Sequence, residues 1–346
     1  MSSSTTSPAP AKHFLSYNDL ADLMLSRNLL ADKTELIQRL QAVNYYRLTG
    51  YLYTFRETVT LADGSRKKGE NYRKGTTLDL VWKFYLFDRR LRFLLMDAIE
   101  RIEIALRTHI AHYWADAEGC INPHAHTTSY NMAFLNKGCH VKLHQKMQAS
   151  YERSTLDCVM HHKGKGITDV KDLPVWVMTE LTTIGEMVWM YRGLKNNLQQ
   201  TIAASFGFSD MLFFDSLLEL IHRSRNACAH HSRVWNVSWL QLHVNPTSMK
   251  KSSMLPIVKR LPADWNLVWD GDNKTWVPQT GATAPVVSKT STAFLLMVCN
   301  VFLEQVAHTS AWRTRFMELM NSSETPYQAM IGMGLPKNWR EHPFLN

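Results

Sequence analysis

Length, composition and charge together limit the kind of protein that this chain can be. Its 346 residues are 45% hydrophobic and 11% aromatic, which is typical of a folded globular protein rather than a disordered or fibrous one. The formal net charge of +9 favours a polyanionic partner, but charge alone does not identify one.

The cysteines and the apolar segments indicate where the protein works. Its five cysteines are scattered without paired spacing, which predicts reduced thiols in the cytoplasm rather than a secreted disulfide framework. The longest apolar stretch, residues 293–303, is interrupted by Asn300 and is much shorter than the roughly 20 residues of a membrane span. We therefore expect a cytoplasmic protein with no membrane partner.

The beginning of the chain predicts a disordered tail followed by a small helical unit. Residues 1–12 are rich in Ser, Thr and Pro and lack the apolar core of a signal peptide. Within residues 13–76, Ser16 and Asp32 stand where helix N-caps are expected. An Asp-Gly pair at residues 63–64 interrupts a polar, basic stretch, which predicts either a hairpin or a mobile loop.

The strongest helical pattern runs from Thr77 to about Trp114. Apolar residues recur there at steps of three and four, and charged residues fill the opposite face. A helix of about 38 residues would be roughly 57 Å long. Further helices are predicted over residues 175–194 and from an N-cap at Ser209 to the neighbourhood of Arg225.

These patterns predict an all-α protein, because no strands alternate with the helices. We expect a helical core over residues 77–233. Residues 234–290, which are rich in Pro, Gly and Asn, predict an irregular insertion with little or no strand. Short helices over residues 291–346 are expected to pack on the core.

One predicted helix end carries residues that suit catalysis. Arg225 and His230 form an Arg-x4-His pair, and Asn226 lies four residues before the histidine, on the same helix face. Arginine can hold a phosphate through two hydrogen bonds, and imidazole groups in general exchange protons near neutral pH. This combination suits metal-free cleavage of RNA through its 2′-hydroxyl, in which Asn226 would orient the imidazole of His230.

Spacing alone does not identify this site, because about one Arg-x4-His pair is expected by chance in such a chain. Two are present, and the second consists of Arg107 and His112 at the end of the long helix. The structural alternatives are that His230 caps helix carbonyls while Arg225 forms an ion pair. For the second pair, the alternative is an ion pair between Arg107 and Glu103.

Two other groups of side chains are candidates for binding. Nine residues between 120 and 162 are zinc-ligand types, but their spacing matches no paired finger pattern, so we expect no metal site. They are Cys120, His124, His126, Cys139, His140, His144, Cys158, His161 and His162. Five basic residues of the predicted hairpin would suit an RNA backbone, unless they form only a solvated tip. They are Arg66, Lys67, Lys68, Arg73 and Lys74.

Short blocks that follow one another along nearly the whole chain add a more specific signal. They include Asn-Tyr-Tyr-Arg-Leu-Thr-Gly-Tyr at residues 44–51 and Leu-Pro-Val-Trp at residues 173–176. The remaining blocks are residues 87–92, 99–107, 225–236 and 333–339, together with Glu180 and Gly185. In this order the blocks resemble the abortive-infection (Abi) family, in particular its AbiD/AbiF type.

The resemblance implies a HEPN-like helical fold, in which Arg-x4–6-His is the ribonuclease signature. It implies a metal-independent endoribonuclease without cofactors, acting as a toxin-like antiviral effector, with Arg225, Asn226 and His230 at its centre. Arg107 and His112 would form a second motif that faces the first one, within the chain or across a homodimer. The expected partners are an RNA substrate and a small non-coding RNA or an antitoxin. The alternative is a non-catalytic RNA-binding regulator with the same fold.

Overall fold

Helices make up most of the computed structural model of the chain, which describes residues 13–208, 210–239, 267–270, 275–278, 291–335 and 339–341. The prediction of an all-α fold is confirmed. The predicted tail at residues 1–12 and most of the predicted insertion lie outside the described residues.

Fourteen α-helices lie within the described residues, and the longest of them, Leu78–Glu118, has 41 residues. They are α1 (Tyr17–Ser26), α2 (Lys33–Val43), α3 (Tyr45–Leu52), α4 (Leu78–Glu118), α5 (Met132–Asn136), α6 (Cys139–Arg153), α7 (Asp157–Gly164), α8 (Val175–Met178), α9 (Ile184–Gly193), α10 (Asn196–Ser205), α11 (Met211–Ala229), α12 (Thr292–Val306), α13 (Trp312–Asn321) and α14 (Tyr327–Met333). Short 3-10 turns lie at Tyr53–Phe55, Pro123–Ala125, Thr127–Ser129, Val170–Asp172, Thr179–Leu181 and Trp339–Glu341.

Two antiparallel hairpins form the strands of the described residues. β1 (Arg56–Thr60) pairs with β2 (Arg66–Tyr72), so the structure shows the hairpin rather than the mobile loop that the sequence also allowed. β3 (Leu267–Asp270) pairs with β4 (Thr275–Pro278) inside the predicted insertion. β3 and β4 have four residues each, and several of these are Val or Trp, which favour extended backbone.

The chain divides into two compact units, which are described separately. Unit 1 comprises residues 1–87 and 324–326, and unit 2 comprises residues 88–323 and 327–346. In unit 1, Ser16 caps α1 in a capping box with Asp19, and the side chain of Asp32 caps α2. Both helix starts confirm the sequence prediction, because short side-chain acceptors satisfy the free N–H groups of a first turn.

The core of unit 2 is built around α12 and a group of phenylalanine rings. From Thr292 to Leu303 every residue of α12 is buried. The ring of Phe302 lies 5.1–5.8 Å, centroid to centroid, from the rings of Phe206, Phe208 and Phe214. A helix that is apolar on all sides is stable in water only when other elements cover it, so α12 lies at the centre of unit 2.

The helix predicted over residues 175–194 is interrupted, and that part of the prediction is wrong. After α8 and a 3-10 turn, Thr183 starts α9 with a capping box: its hydroxyl accepts from the Glu186 N–H, and the Glu186 carboxylate accepts from the Thr183 N–H. α11 likewise starts with the Asp210 side chain, which accepts from two backbone N–H groups. Ser209, the predicted cap, lies outside the described residues.

A buried carboxylate holds the segment that follows α11 against α4. Asp88 is 0% exposed, and its Oδ1 accepts from the backbone N–H groups of Val234 at 3.0 Å and Trp235 at 2.7 Å. Its Oδ2 accepts from Arg92 Nη1 at 2.5 Å, and the same guanidinium donates to the Ser232 carbonyl at 3.3 Å. A buried charge is tolerated only when it is paired and hydrogen-bonded, and here both oxygens of Asp88 are bound.

We expect Asp88→Asn to destabilise the protein by about 3–5 kcal/mol, because it removes the carboxylate charge that pairs with the buried Arg92 guanidinium. The measurement is the free energy of unfolding from urea titration. Asp79→Asn is the matched control, since Asp79 also pairs with a cation four residues later on α4 but is 73% exposed. That control should cost less than about 1 kcal/mol. Equal effects of the two substitutions would contradict the role of Asp88.

Candidate functional site

The first Arg-x4-His pair lies at the C-terminal end of α11, as the sequence predicts. Arg225 and Asn226 are half-buried in the last turns of the helix. His230 is the first residue beyond the helix and is exposed, and its backbone N–H donates to the Asn226 carbonyl at 2.9 Å. The imidazole of His230 therefore points from a fixed backbone position into solvent-accessible space.

The turn after His230 has a defined and unusual backbone. His231 adopts a left-handed conformation with φ of 56°. Its N–H donates to the Cys228 carbonyl, and the Ser232 N–H donates to the Ala227 carbonyl, which together form a Schellman motif. Glycine or asparagine usually occupies this position, and another residue there costs roughly 1–2 kcal/mol. The contacts of Asp88 with Val234 and Trp235 follow this turn, so the chain is held on both sides of the histidine pair.

The side-chain partner of Asn226 differs from the predicted one. Its amide nitrogen lies 3.0 Å from Nε2 of His222, one turn earlier in α11, rather than against His230. The amide donates this hydrogen bond when Nε2 is unprotonated, which leaves the amide oxygen free to accept from another group. Sequence analysis missed His222, although its spacing of four residues from Asn226 places both on one helix face.

His222 packs closely against the start of α9. A Cβ atom at Gly185 would lie 2.7 Å from His222 Nε2, so only glycine leaves room for the imidazole at this position. Burial lowers the pKa of His222 below its ordinary value, and three nearby arginines, Arg225 among them, act in the same direction while Glu219 opposes them. The neutral imidazole is therefore favoured, which is the form that accepts from the Asn226 amide.

In the second Arg-x4-His pair, the arginine forms the ion pair with Glu103 that the sequence also allowed. Arg107 Nη2 lies 2.6 Å from Oε1 of Glu103, and these side chains are 18% and 12% exposed. The same nitrogen donates to the carbonyl of Thr182 at 2.8 Å. His112 is exposed one turn further along α4. Arg107 thus joins α4 to the connection that precedes α9.

A cleft of about 440 Å³ opens between α4 and the α8 region. Its polar lining consists of Arg107, Thr108, His112, Asp116, Thr179 and Glu180. Two alanines of α4 and the indole of Trp176 complete the wall. The volume lies in the range of small-molecule sites. The cleft brings Arg107 and His112 together, but Arg225 and His230 are not among its lining residues.

Arg107 and His222, the side-chain partner of Asn226, nevertheless contact the same short segment of unit 2. Arg107 binds the carbonyl of Thr182, and His222 packs on Gly185 three residues later. Three residues span at most about 11 Å, so the contact points of Arg107 and His222 lie close together at the start of α9. Whether the two Arg-x4-His pairs act on one substrate within the chain stays a prediction.

Three of the histidines considered for zinc form hydrogen bonds to backbone carbonyls. His124 is buried and its Nε2 hydrogen-bonds the Val170 carbonyl at 3.0 Å, while His144 Nε2 hydrogen-bonds the His124 carbonyl at 2.6 Å. His162 Nδ1 hydrogen-bonds the Cys158 carbonyl. Across the described part of the chain, no three His, Cys, Asp or Glu side chains converge in a way that could hold a metal ion.

The basic residues of the first hairpin are all exposed, and they belong to unit 1. Lys68 Nζ donates to the Arg56 carbonyl at 3.1 Å, and Arg73 Nη2 donates to the Thr54 carbonyl at 3.1 Å. Arg66, Lys67 and Lys74 extend from the same hairpin and its end. The hairpin therefore presents a cluster of cations of the kind that attracts a phosphate backbone.

Comparison with known proteins gives one match. A family model described as "Abi-like protein" matches residues 38–236, which is more than half of the chain and includes both Arg-x4-His pairs. Neither the curated proteins nor the solved structures contain a match. Within the described residues, no helix is both long enough and apolar enough to cross a membrane.

The burial of His124 predicts a specific dependence of stability on pH. Burial lowers the pKa of His124 from 6.5 to about 4, although its hydrogen bond to Val170 acts in the opposite direction. The unfolded chain therefore binds a proton that the folded chain excludes, and the free energy of unfolding falls by up to about 3 kcal/mol as pH drops from about 6.5 to about 4.

His124→Gln should remove this contribution, because glutamine retains a nitrogen for the Val170 carbonyl but does not titrate. Urea titrations between pH 7 and pH 4 would show a shallower loss of stability than in the unsubstituted protein. His308→Gln, at an exposed position whose charge is not among those acting on His124, is the control and should leave the profile unchanged. A His124→Gln protein with the original pH profile would contradict the assignment.

Proposed function

The chain belongs to the Abi-like protein family, and from this premise we propose that it is a metal-independent endoribonuclease acting in abortive infection. The family description points to abortive infection, and the chemistry is inferred from the residues of the site. We keep the AbiD/AbiF type and the HEPN-like fold as parts of this proposal.

The observation that carries the proposal is the exposed His230 beyond Arg225 on an anchored turn. The structural alternative assigned His230 to capping helix carbonyls and Arg225 to an ion pair. Among the described residues, neither side chain makes such a contact. An accessible imidazole and an available guanidinium, held at the end of one helix, are the groups that phosphodiester cleavage needs.

The proposed reaction uses the 2′-hydroxyl of the RNA as the nucleophile. The 2′-oxygen attacks the adjacent phosphorus, the bond from phosphorus to O5′ breaks, and the products carry a 2′,3′-cyclic phosphate and a 5′-hydroxyl. His230 accepts the 2′-hydroxyl proton or protonates the departing O5′. Arg225 binds the non-bridging oxygens, whose charge grows in the transition state. The amide nitrogen of Asn226 is held by His222, and its amide oxygen would position the reacting groups of the RNA.

Arg107 and His112 serve as the second motif of this proposal. An RNA strand that crosses the first turn of α9 would pass both pairs, and a homodimer would offer the same arrangement between two chains. A small non-coding RNA or an antitoxin is the proposed neutralising partner, and a cationic hairpin such as β1–β2 suits an RNA partner.

A non-catalytic RNA-binding regulator is the second candidate, and the contacts of Arg107 favour it. This guanidinium is tied to Glu103 and to the Thr182 carbonyl, so it is less available to a phosphate than Arg225. If the second motif must supply an arginine to the transition state, the chain would bind RNA without cutting it.

His230→Ala should abolish RNA cleavage, by at least about 100-fold, while binding persists, because removing a positioned acid/base group acts mainly on the transition state. The measurement is cleavage of mixed RNA in the presence of EDTA, with product ends analysed for 2′,3′-cyclic phosphate. Arg225→Ala should also lose cleavage and bind RNA more weakly, since its guanidinium contacts phosphate in both states. DNA, which lacks the 2′-hydroxyl, should remain whole.

His126→Ala is the matched control for this experiment, because His126 is an exposed histidine outside both pairs. It should cleave like the unsubstituted protein. Tight RNA binding without cleavage, together with undiminished toxicity of His230→Ala in cells, would instead establish the regulator.

Replacing Arg66, Lys67 and Lys68 with glutamine should weaken RNA binding and reduce its dependence on salt. Each phosphate contact to a single strand contributes about 0.7 to the slope of log affinity against log salt, so the slope should fall by up to about 2. Fluorescence anisotropy over a range of salt concentrations measures this slope.

The control for the hairpin replaces three exposed lysines of unit 2, Lys142, Lys165 and Lys171, with glutamine. Both variants lose the same charge, so only a local contact distinguishes them. Identical salt slopes in the two variants would show that the hairpin is a solvated tip.

A further inference from the structure

The cleft between α4 and α8 contains an exposed tryptophan that the proposed reaction does not use. Trp176 is 51% exposed, although its neighbours Val175, Val177 and Met178 are 0–5% exposed. A short helix that buries three apolar side chains and leaves its largest one accessible makes a flat aromatic surface available to a ligand. In this chain the indole lies in the wall of a cleft.

The opposite wall comes from one face of α4 and is shaped by small residues. Arg107, Ala111 and Ala115 follow at steps of four, so they lie along one side of the helix. The two alanines leave the space that larger side chains would fill. Thr179 and Glu180 follow Trp176 at the third and fourth position and complete the facing wall.

The part of the cleft around Trp176 offers hydrogen-bond acceptors rather than donors. The positive charge of Arg107 is offset by Glu103 at 2.6 Å. Two further carboxylates, Asp116 and Glu180, line the cleft and are exposed. Neither carboxylate has a hydrogen-bond partner among the described residues. Carboxylates accept from N–H groups and an indole face stacks on flat rings, so the favoured ligand is flat and rich in N–H donors.

We propose that this cleft binds a single unstacked nucleobase of the RNA, which stacks on Trp176 while Glu180 or Asp116 accepts from its Watson–Crick edge. Guanine is the preferred base, because N1–H and the N2 amino group are adjacent donors that match one carboxylate. Uracil is disfavoured, because two carbonyl acceptors flank its single N–H. The inference rests on the proposed function in that the ligand belongs to an RNA strand.

The place of the cleft fits such a role beside the first motif. Arg107, in the cleft wall, binds the Thr182 carbonyl, and His222 of α11 packs on Gly185 in the next turn. The cleft and the helix that carries Arg225 and His230 therefore both contact the segment at the start of α9, and we place the bound base and the scissile phosphate on one RNA strand. Through Trp176 and its carboxylates, the cleft would position the strand and select its sequence.

The test uses the full chain and two fluorescent hexanucleotides with 2′-O-methyl groups, which cannot be cleaved through the 2′-oxygen. One is all uracil, and the other contains one guanine. Anisotropy should show tighter binding of the guanine probe. Trp176→Ala should weaken that binding about tenfold, in line with the loss of one stacked base. Trp176→Phe should restore part of the affinity, and Glu180→Gln should narrow the preference for guanine.

Phe93→Ala is the matched control, since Phe93 is also an exposed aromatic residue of unit 2, 63% exposed, but lies outside the cleft. It should bind both probes like the unsubstituted protein, and circular dichroism should show that all variants are folded. Equal affinities of Trp176→Ala and Phe93→Ala would overturn the base site, as would the absence of any preference between the probes.

The outcomes separate this inference from the proposed nuclease. If the unsubstituted protein leaves ordinary RNA whole but Trp176→Ala weakens probe binding, the base site stands and the nuclease does not. If RNA is cleaved but Trp176→Ala binds the probes unchanged, the nuclease stands and the base site is wrong.

Discussion

The buried carboxylate of Asp88 is the contact on which the geometry of the first motif depends. It accepts from two backbone N–H groups just after the histidine pair and from Arg92 one turn along α4. A carboxylate without water is stable only when such donors surround it, so the segment cannot move away without exposing an unpaired charge. The Schellman turn at His231 and the close approach of Gly332 to the Trp235 ring hold the same segment from its other sides.

The start of α9 has a second organising role, because Arg107 binds the segment just before it and His222 packs on its first turn. Its start is set by the capping box of Thr183 and Glu186, which ends the preceding turn and leaves the Thr182 carbonyl to Arg107. Gly185 then admits the imidazole of His222, whose neutral form holds the Asn226 amide. The blocks that resemble the Abi family thus meet in space: residues 99–107 contact the 173–185 region, and residues 87–92 contact residues 232–235.

The polar groups of the protein divide into two kinds that suit different parts of a nucleic acid. The β1–β2 hairpin of unit 1 carries exposed cations, which attract phosphates without regard to sequence. The cleft of unit 2 offers an indole face and carboxylates, which act on a base rather than on a backbone. A net charge of +9 accounts for the first property only, since it says nothing about where negative side chains are placed.

Local sequence was sufficient to predict most of the helices, the caps of α1 and α2 and the position of Arg225 and His230 at a helix end, and it left the β1–β2 hairpin as one of two alternatives. These features depend on residues within one or two turns of each other, which periodicity and capping patterns report directly. The capping residues Thr183 and Glu186 also mark the break before α9 in the local sequence, but the apolar pattern continues on both sides of it and predicted one helix.

The partners of the site were decided by the tertiary structure alone. Arg107 meets a carbonyl 75 residues away and Asp88 meets N–H groups 146 and 147 residues away, and such contacts arise from packing that no local pattern encodes. For the same reason only the folded chain places Trp176 in a cleft, because its exposure depends on which helix faces it.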